Sequence, residues 1–142
     1  MKKHKTLFLL EREISPYTAE NLFLGIFESL DVAKNYRNGF IEKFNFKDPF
    51  KEQAYKKTDL TKDLKIIEIQ DKIDDNSFFK QNKSVFLLCG IFEMFGQIKK
   101  ELILLSSDKL KIEKIIQDQK DSNYLNEEEY SYYKLEELKL NN

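Results

Sequence analysis

The chain has 142 residues, 41% hydrophobic and 35% charged, which excludes a disordered chain and fits one ordinary domain or two very small ones. A formal net charge of −1 leaves no global field to draw the protein to DNA or anionic membranes. With one cysteine, Cys89, and one histidine, His4, an internal disulfide and the usual His-rich zinc and nuclease sites are excluded, and the expected compartment is reducing and cytoplasmic.

The chain opens with basic residues, but Glu11, Arg12 and Glu13 end the apolar stretch Leu7–Leu10 before it is long enough for a leader. Leu7 to about Ile14 reads as a first strand, closed by the turn residues Ser15-Pro16-Tyr17. A second strand, Leu22–Phe27, completes a hairpin, and Ser29 is a good N-cap for a helix from Leu30 to about Asn38. Ala33, Tyr36 and Phe40 share one side of that helix, and Gly39 is a plausible end. Asp48-Pro49 predicts a short second helix over Pro49–Lys57, inside an aromatic segment with Phe44, Phe46, Phe50 and Tyr55. Leu64–Ile69 is a third strand. Asp71–Asn82 is a polar linker, with Phe78 and Phe79 expected to anchor it.

The same order then returns. Val85 to about Met94 and Leu102–Leu105 form a second hairpin around Phe95-Gly96-Gln97. Ser107 is the expected cap of a helix from Asp108 to about Gln119, with Ile112, Ile115 and Ile116 on its buried side. Tyr130–Leu138 is the last strand. Lys5–Leu10 matches Lys83–Leu88 at an offset of 78, and the same offset carries Leu24–Phe27 onto Leu102–Leu105 and Ser29 onto Ser107. Lys65–Ile69 matches Lys134–Leu138 at an offset of 69. The expected fold is therefore α+β, a tandem duplication of a ββαβ unit in one compact pseudo-symmetric body. Residues 1–70 form the first copy, with an insertion over 40–63; residues 71–82 are the linker and residues 83–142 the second copy.

Both first strands are apolar on both faces: Phe8 and Leu10 alternate with Leu7 and Leu9, and Val85 and Leu87 with Phe86 and Leu88. Such strands need cover on both sides. One helix per copy covers one face, and the other needs the second copy or another subunit. Two sheets packed face to face, or one continuous sheet with added cover, both satisfy this.

The run Val85–Leu88, then Leu102–Ser107, a helix and Tyr130–Leu138 resembles small uncharacterised bacterial and phage ββαβ proteins. Leu7–Leu10, Ile26–Ser29 and Ala33 carry the same pattern in the first copy, which departs from it at Phe40–Asp63. The resemblance implies a fold and no activity.

No catalytic, cofactor or metal motif stands out. His4 lies among lysines near the chain's start, where ends fray. Cys89 lies in a strand pattern with no cation to activate it. Gly25 and Gly90 suggest bulges or close packing. Glu11 and Glu13 share a strand face and are the best case for a paired carboxylate site, which requires a pocket facing them. Lys34–Lys65 holds nine basic residues against five acidic ones, whereas Gln117–Asn142 holds seven acids against three lysines. Lysines interleaved with Phe44, Phe46, Phe50 and Tyr55 are a pattern that binds single-stranded nucleic acid; a core of aromatics under solvated lysines is the alternative.

The leading expectation is a non-enzymatic protein that binds another protein, such as an inhibitor or immunity-type accessory protein of a bacterium or phage. The expected contact residues are Phe92, Phe95, Tyr17, Phe50, Lys47 and Lys51. Nucleic-acid binding by 34–65 and a small-ligand or enzyme site at Glu11 and Glu13 are the alternatives. Homodimerisation fits all three. No cofactor is expected, and the longest apolar runs, such as Val85–Ile91, are too short for a membrane span.

Overall fold

The computed structural model describes residues 5–15, 20–44, 57–121 and 130–141. Its elements are β1 (Leu7–Ser15), β2 (Glu20–Phe27), α1 (Leu30–Lys43), α2 (Lys57–Asp63), β3 (Leu64–Ile69), β4 (Ser84–Met94), β5 (Gln97–Ser106), α3 (Lys109–Asp121) and β6 (Tyr132–Asn141). The chain is a mixed α+β protein. The six strands make one curled sheet in the order β3-β1-β2-β6-β4-β5.

Strand pleat sorts the apolar residues into two layers. Leu7 and Leu9 of β1 point inward with Phe23, Ile26 and Ile69; facing them from the other half are Val85, Leu87, Cys89, Ile91, Leu102, Leu105 and Leu140. Leu10, Phe27 and Leu64 point outward, under Ala33 and Ile41 of α1 and Leu60 of α2. In the other half α3 lies against β4, β5 and β6, with Ile112 fully buried. The two-faced apolarity of β1 and β4 is thus met by helices outside and by the opposite half of the curl inside. Each such side chain withdrawn from water stabilises the fold by about 1.5–3 kcal/mol.

The halves follow one plan, with strand orders β3-β1-β2 and β6-β4-β5. Each hairpin carries an irregularity at a matching place, after Leu10 in β1 and after Leu88 in β4. Pairing of β1 with β3 and of β4 with β6 sets Leu7 opposite Ile69 and Val85 opposite Leu138. The halves join through a short parallel seam, with Ile26 beside Leu140 and Phe27 beside Asn141. On the far side, the chain after β3 touches β5 through a single parallel bridge, Ile73 to Leu105. Two hydrogen bonds hold that bridge: Leu105 N–H donates to the Lys72 carbonyl (2.7 Å) and Asp74 N–H to the Leu105 carbonyl (2.8 Å).

Several local expectations are corrected. α1 passes through Gly39 and ends at Lys43 with Phe44 as its C-cap. Burial of Ile41 and packing of Phe40 and Phe44 outweigh the roughly 1 kcal/mol helix cost of one glycine. Ser29 caps α1 as expected, accepting from Val32 N–H (3.1 Å). Asp108, not Ser107, caps α3, accepting from Leu110 N–H (3.1 Å) and Lys111 N–H (3.4 Å). Ser107 Oγ instead accepts from Phe78 N–H (3.3 Å). Phe79 is buried, but Phe78 is 83% exposed, so its ring does not anchor the linker. β5 begins at Gln97, well before Leu102, because the tight turn pairs Met94 with Gln97. β6 ends at Asn141, past Leu138, where it reaches β2. A helix occupies Lys57–Asp63; the part of the predicted Pro49–Lys57 helix before Lys57 lies outside the described residues.

Gly90 has a packing reason. A Cβ there would stand 2.5 Å from the Tyr130 ring, which also meets Phe92 and Tyr133 edge-on.

Candidate functional site

Three places in the described residues concentrate polar or exposed apolar groups. The first is the tip of the β4–β5 hairpin. Phe95 (φ 53°) and Gly96 (φ 77°) are both left-handed, the conformation of a two-residue type I′ turn. Asn, Asp and Gly favour such a turn; a bulky aromatic in it is an outlier. Phe95 is 96% exposed, and Phe92, Met94 and Ile98 around it are exposed as well.

The second is a cleft where the two ends of the sheet fail to close. The edges meet at Ile73 and Leu105 and part toward Leu64 and Gln97. The opening has a volume of about 440 Å³, a floor of Leu9, Phe23, Ile69 and Leu102, and walls from β3 and β5. Asn21 lies buried beside it, in an adjoining hollow that Glu11 and Lys99 share with the cleft. Its amide donates to the Lys100 carbonyl (2.8 Å) and to Glu11 (3.1 Å), and its oxygen accepts from Lys100 N–H (2.7 Å). The Lys100 ammonium turns inward, 2.6 Å from Glu136 and 4.7 Å from the Phe23 ring centre. Glu136 also accepts from the Cys89 thiol (3.9 Å). Burial pushes that thiol up to about 12, and the Glu136 charge adds to the shift, so Cys89 is no nucleophile at neutral pH.

The third is a polar lock between linker and α3. The buried Asp74 carboxylate accepts from Lys111 (2.6 Å), Ser106 (3.0 Å) and Ser77 (3.1 Å). Burial pushes the Asp74 carboxyl up, but hydrogen bonds from Lys111, Ser106, the Asn76 amide and Ser77 outweigh it and hold the group below its ordinary value. The cluster satisfies itself and ties the linker down.

Of the residues expected from sequence, Phe92 and Phe95 stand at the hairpin tip. Tyr17, Phe50, Lys47 and Lys51 lie outside the described residues, as does His4. Glu11 faces the cleft, while Glu13 lies 3.9 Å from Lys65; both also line a hollow of about 140 Å³ with Asn21 and Lys99. In the basic stretch, Phe44 packs against the outer layer with the Arg12 guanidinium 5.0 Å from its ring centre. Asn21, Lys100 and Glu136 belong to no motif in the sequence. Their signal was a polar residue at an inward position of a strand. Among the described residues no group of three or more His, Cys, Asp and Glu is placed to hold a metal ion, and no helix is long and apolar enough to cross a membrane. Compared with protein-family models, curated proteins and solved structures, the chain matches none.

Proposed function

We propose that this is a non-enzymatic interaction protein that docks on another protein through the tip of the β4–β5 hairpin. The observation that carries the reading is Phe95: a large aromatic held fully in solvent at a left-handed turn position. Such a conformation costs of order 1–3 kcal/mol, and nothing among the described residues recovers it by burial. An apolar recess on a partner recovers it, with Phe95 as the anchor and Phe92, Met94 and Ile98 around it. An accessory role of the inhibitor or immunity type in a reducing cytoplasm fits a hairpin with an exposed apolar tip. We also infer a tandem duplication. The common strand order and the matching irregularities support it.

The test compares immobilised wild type with Phe95→Asn, a residue the turn accepts. A partner retained from the native host by wild type and lost by the variant, with an unchanged circular dichroism spectrum, is the expected result. Equal retention by both proteins, or no retention by wild type, overturns the hairpin as the docking site.

A further inference from the structure

The cleft between β3 and β5 supports a second inference, independent of the hairpin tip. A sheet edge offers a row of main-chain donors and acceptors to any passing strand. The two edges bordering the cleft differ in what is left open. On β5, Asn21 satisfies both main-chain groups of Lys100, the Lys72 ammonium bonds the Leu102 carbonyl (3.0 Å), and the bridge occupies Leu105. That edge is capped. β3 pairs with β1 and is the end strand of the sheet, and its outer edge has no such caps among the described residues.

One side chain of β3 adds to this. Ile67 is opposite Leu9 and so belongs to the inward face, yet it is 38% exposed where Leu9 is buried. It is an inward-facing apolar side chain uncovered by the parted seam. Charge adds the chemistry. Four acidic residues border the cleft, Glu11, Glu68, Asp71 and Glu101, against Lys72, Lys99 and Lys100, and Lys100 is already bound to Glu136. The opening therefore carries an excess of negative charge.

We propose that this cleft binds an extended peptide segment, with a central apolar side chain and basic flanks, that adds as a strand to the free edge of β3. Main-chain hydrogen bonds to β3 supply affinity, the apolar residue covers Ile67, and the flanking lysines or arginines meet Glu68 and Asp71. The stretch that borders the opening, Ile67 to Lys72, sets the scale of the segment at about six residues, or roughly 20 Å when extended.

The experiment is a selection of random displayed heptapeptides on the full chain, on Ile67→Lys and on the double variant Glu68→Lys, Asp71→Lys. Both rim residues are exposed, so the double variant tests charge without risk to the core. Wild type is expected to enrich peptides alternating apolar and basic residues. Ile67→Lys loses them by about tenfold or more, and the double variant turns the preference to acidic flanks. Amide exchange with an enriched peptide bound slows over 64–69. Indifference to all three substitutions, protection at the hairpin tip instead of β3, or equal displacement of the peptide by free spermidine overturns the proposal. Spermidine displacement would assign the cleft to a small polycation. A dimer in light scattering that protects 64–69 without peptide would assign it to a second copy. Phe95→Asn leaves the enrichment unchanged, so this site and the hairpin tip fail or stand separately.

Discussion

The Asn21 side chain and the Lys100 main chain form a reciprocal pair of hydrogen bonds, 2.7 and 2.8 Å, across 79 residues of sequence. Asn21 is opposite Glu13 in the first hairpin and Lys100 opposite Ile91 in the second, so the two hold matching places in the two halves. The carboxamide does for Lys100 what another strand would do. Asn21→Ala leaves the part-buried Lys100 N–H and C=O without this partner, at about 1–3 kcal/mol each. A loss of roughly 2–4 kcal/mol in urea unfolding is expected. A loss under 0.5 kcal/mol would mean that water replaces the amide.

Asp74 makes stability depend on acid. Its folded pKa lies below the ordinary value, so the unfolded chain takes up the proton first as pH falls. The contribution is complete above the ordinary Asp range near 3.9 and is lost as pH drops through the lower folded value. Asp74→Asn is expected to cost about 2–3 kcal/mol at pH 7, discounted for the exposed Lys111. It should also flatten the acid limb of a stability–pH curve; an unchanged limb would assign the acid sensitivity elsewhere.

Cys89 runs the other way. Its thiol is pushed up to about 12, whereas a free thiol ionises near 8.5. Between those values the unfolded state loses a proton that the folded state keeps, so stability falls as pH rises through that window. Iodoacetamide at pH 8 should label Cys89 only at the rate of global unfolding. Labelling as fast as a model thiol would place the sulfur in solvent.

Phe95→Asn separates stability from function. Relief of a left-handed aromatic should raise stability by about 1 kcal/mol, read as a higher urea midpoint with an unchanged slope. A lower midpoint would show that Phe95 makes contacts that stabilise the fold.

Much of the architecture was legible in the chain. Local chemistry wrote the strands, the Ser29 cap and the turn at Gly96. Apolar runs on both faces of Leu7–Leu10 and Val85–Leu88 already required cover on two sides. Helix and strand ends were less legible at Gly39, Leu102 and Leu138, because packing partners far along the chain decide where an element stops.

Of the candidate sites, the exposed aromatics of the second hairpin were readable as a tip, since a Phe-Gly turn after an apolar strand has little to bury it. The cleft, the Asn21–Lys100 contact and the Asp74 lock were not, because each brings together residues more than 25 positions apart. The register of the second hairpin makes the same point. Sequence matching carried Ile26 onto Leu104, whereas the structure sets Leu9 opposite Ile26 and Leu87 opposite Leu105. That is a shift of one residue, which exchanges the two faces of a strand. A strand with polar residues on one face would have betrayed the slip. Here both faces are apolar, so the amino acids alone fixed that the sheet must be covered twice, and only the curl of the sheet decided which side chains form the shared core.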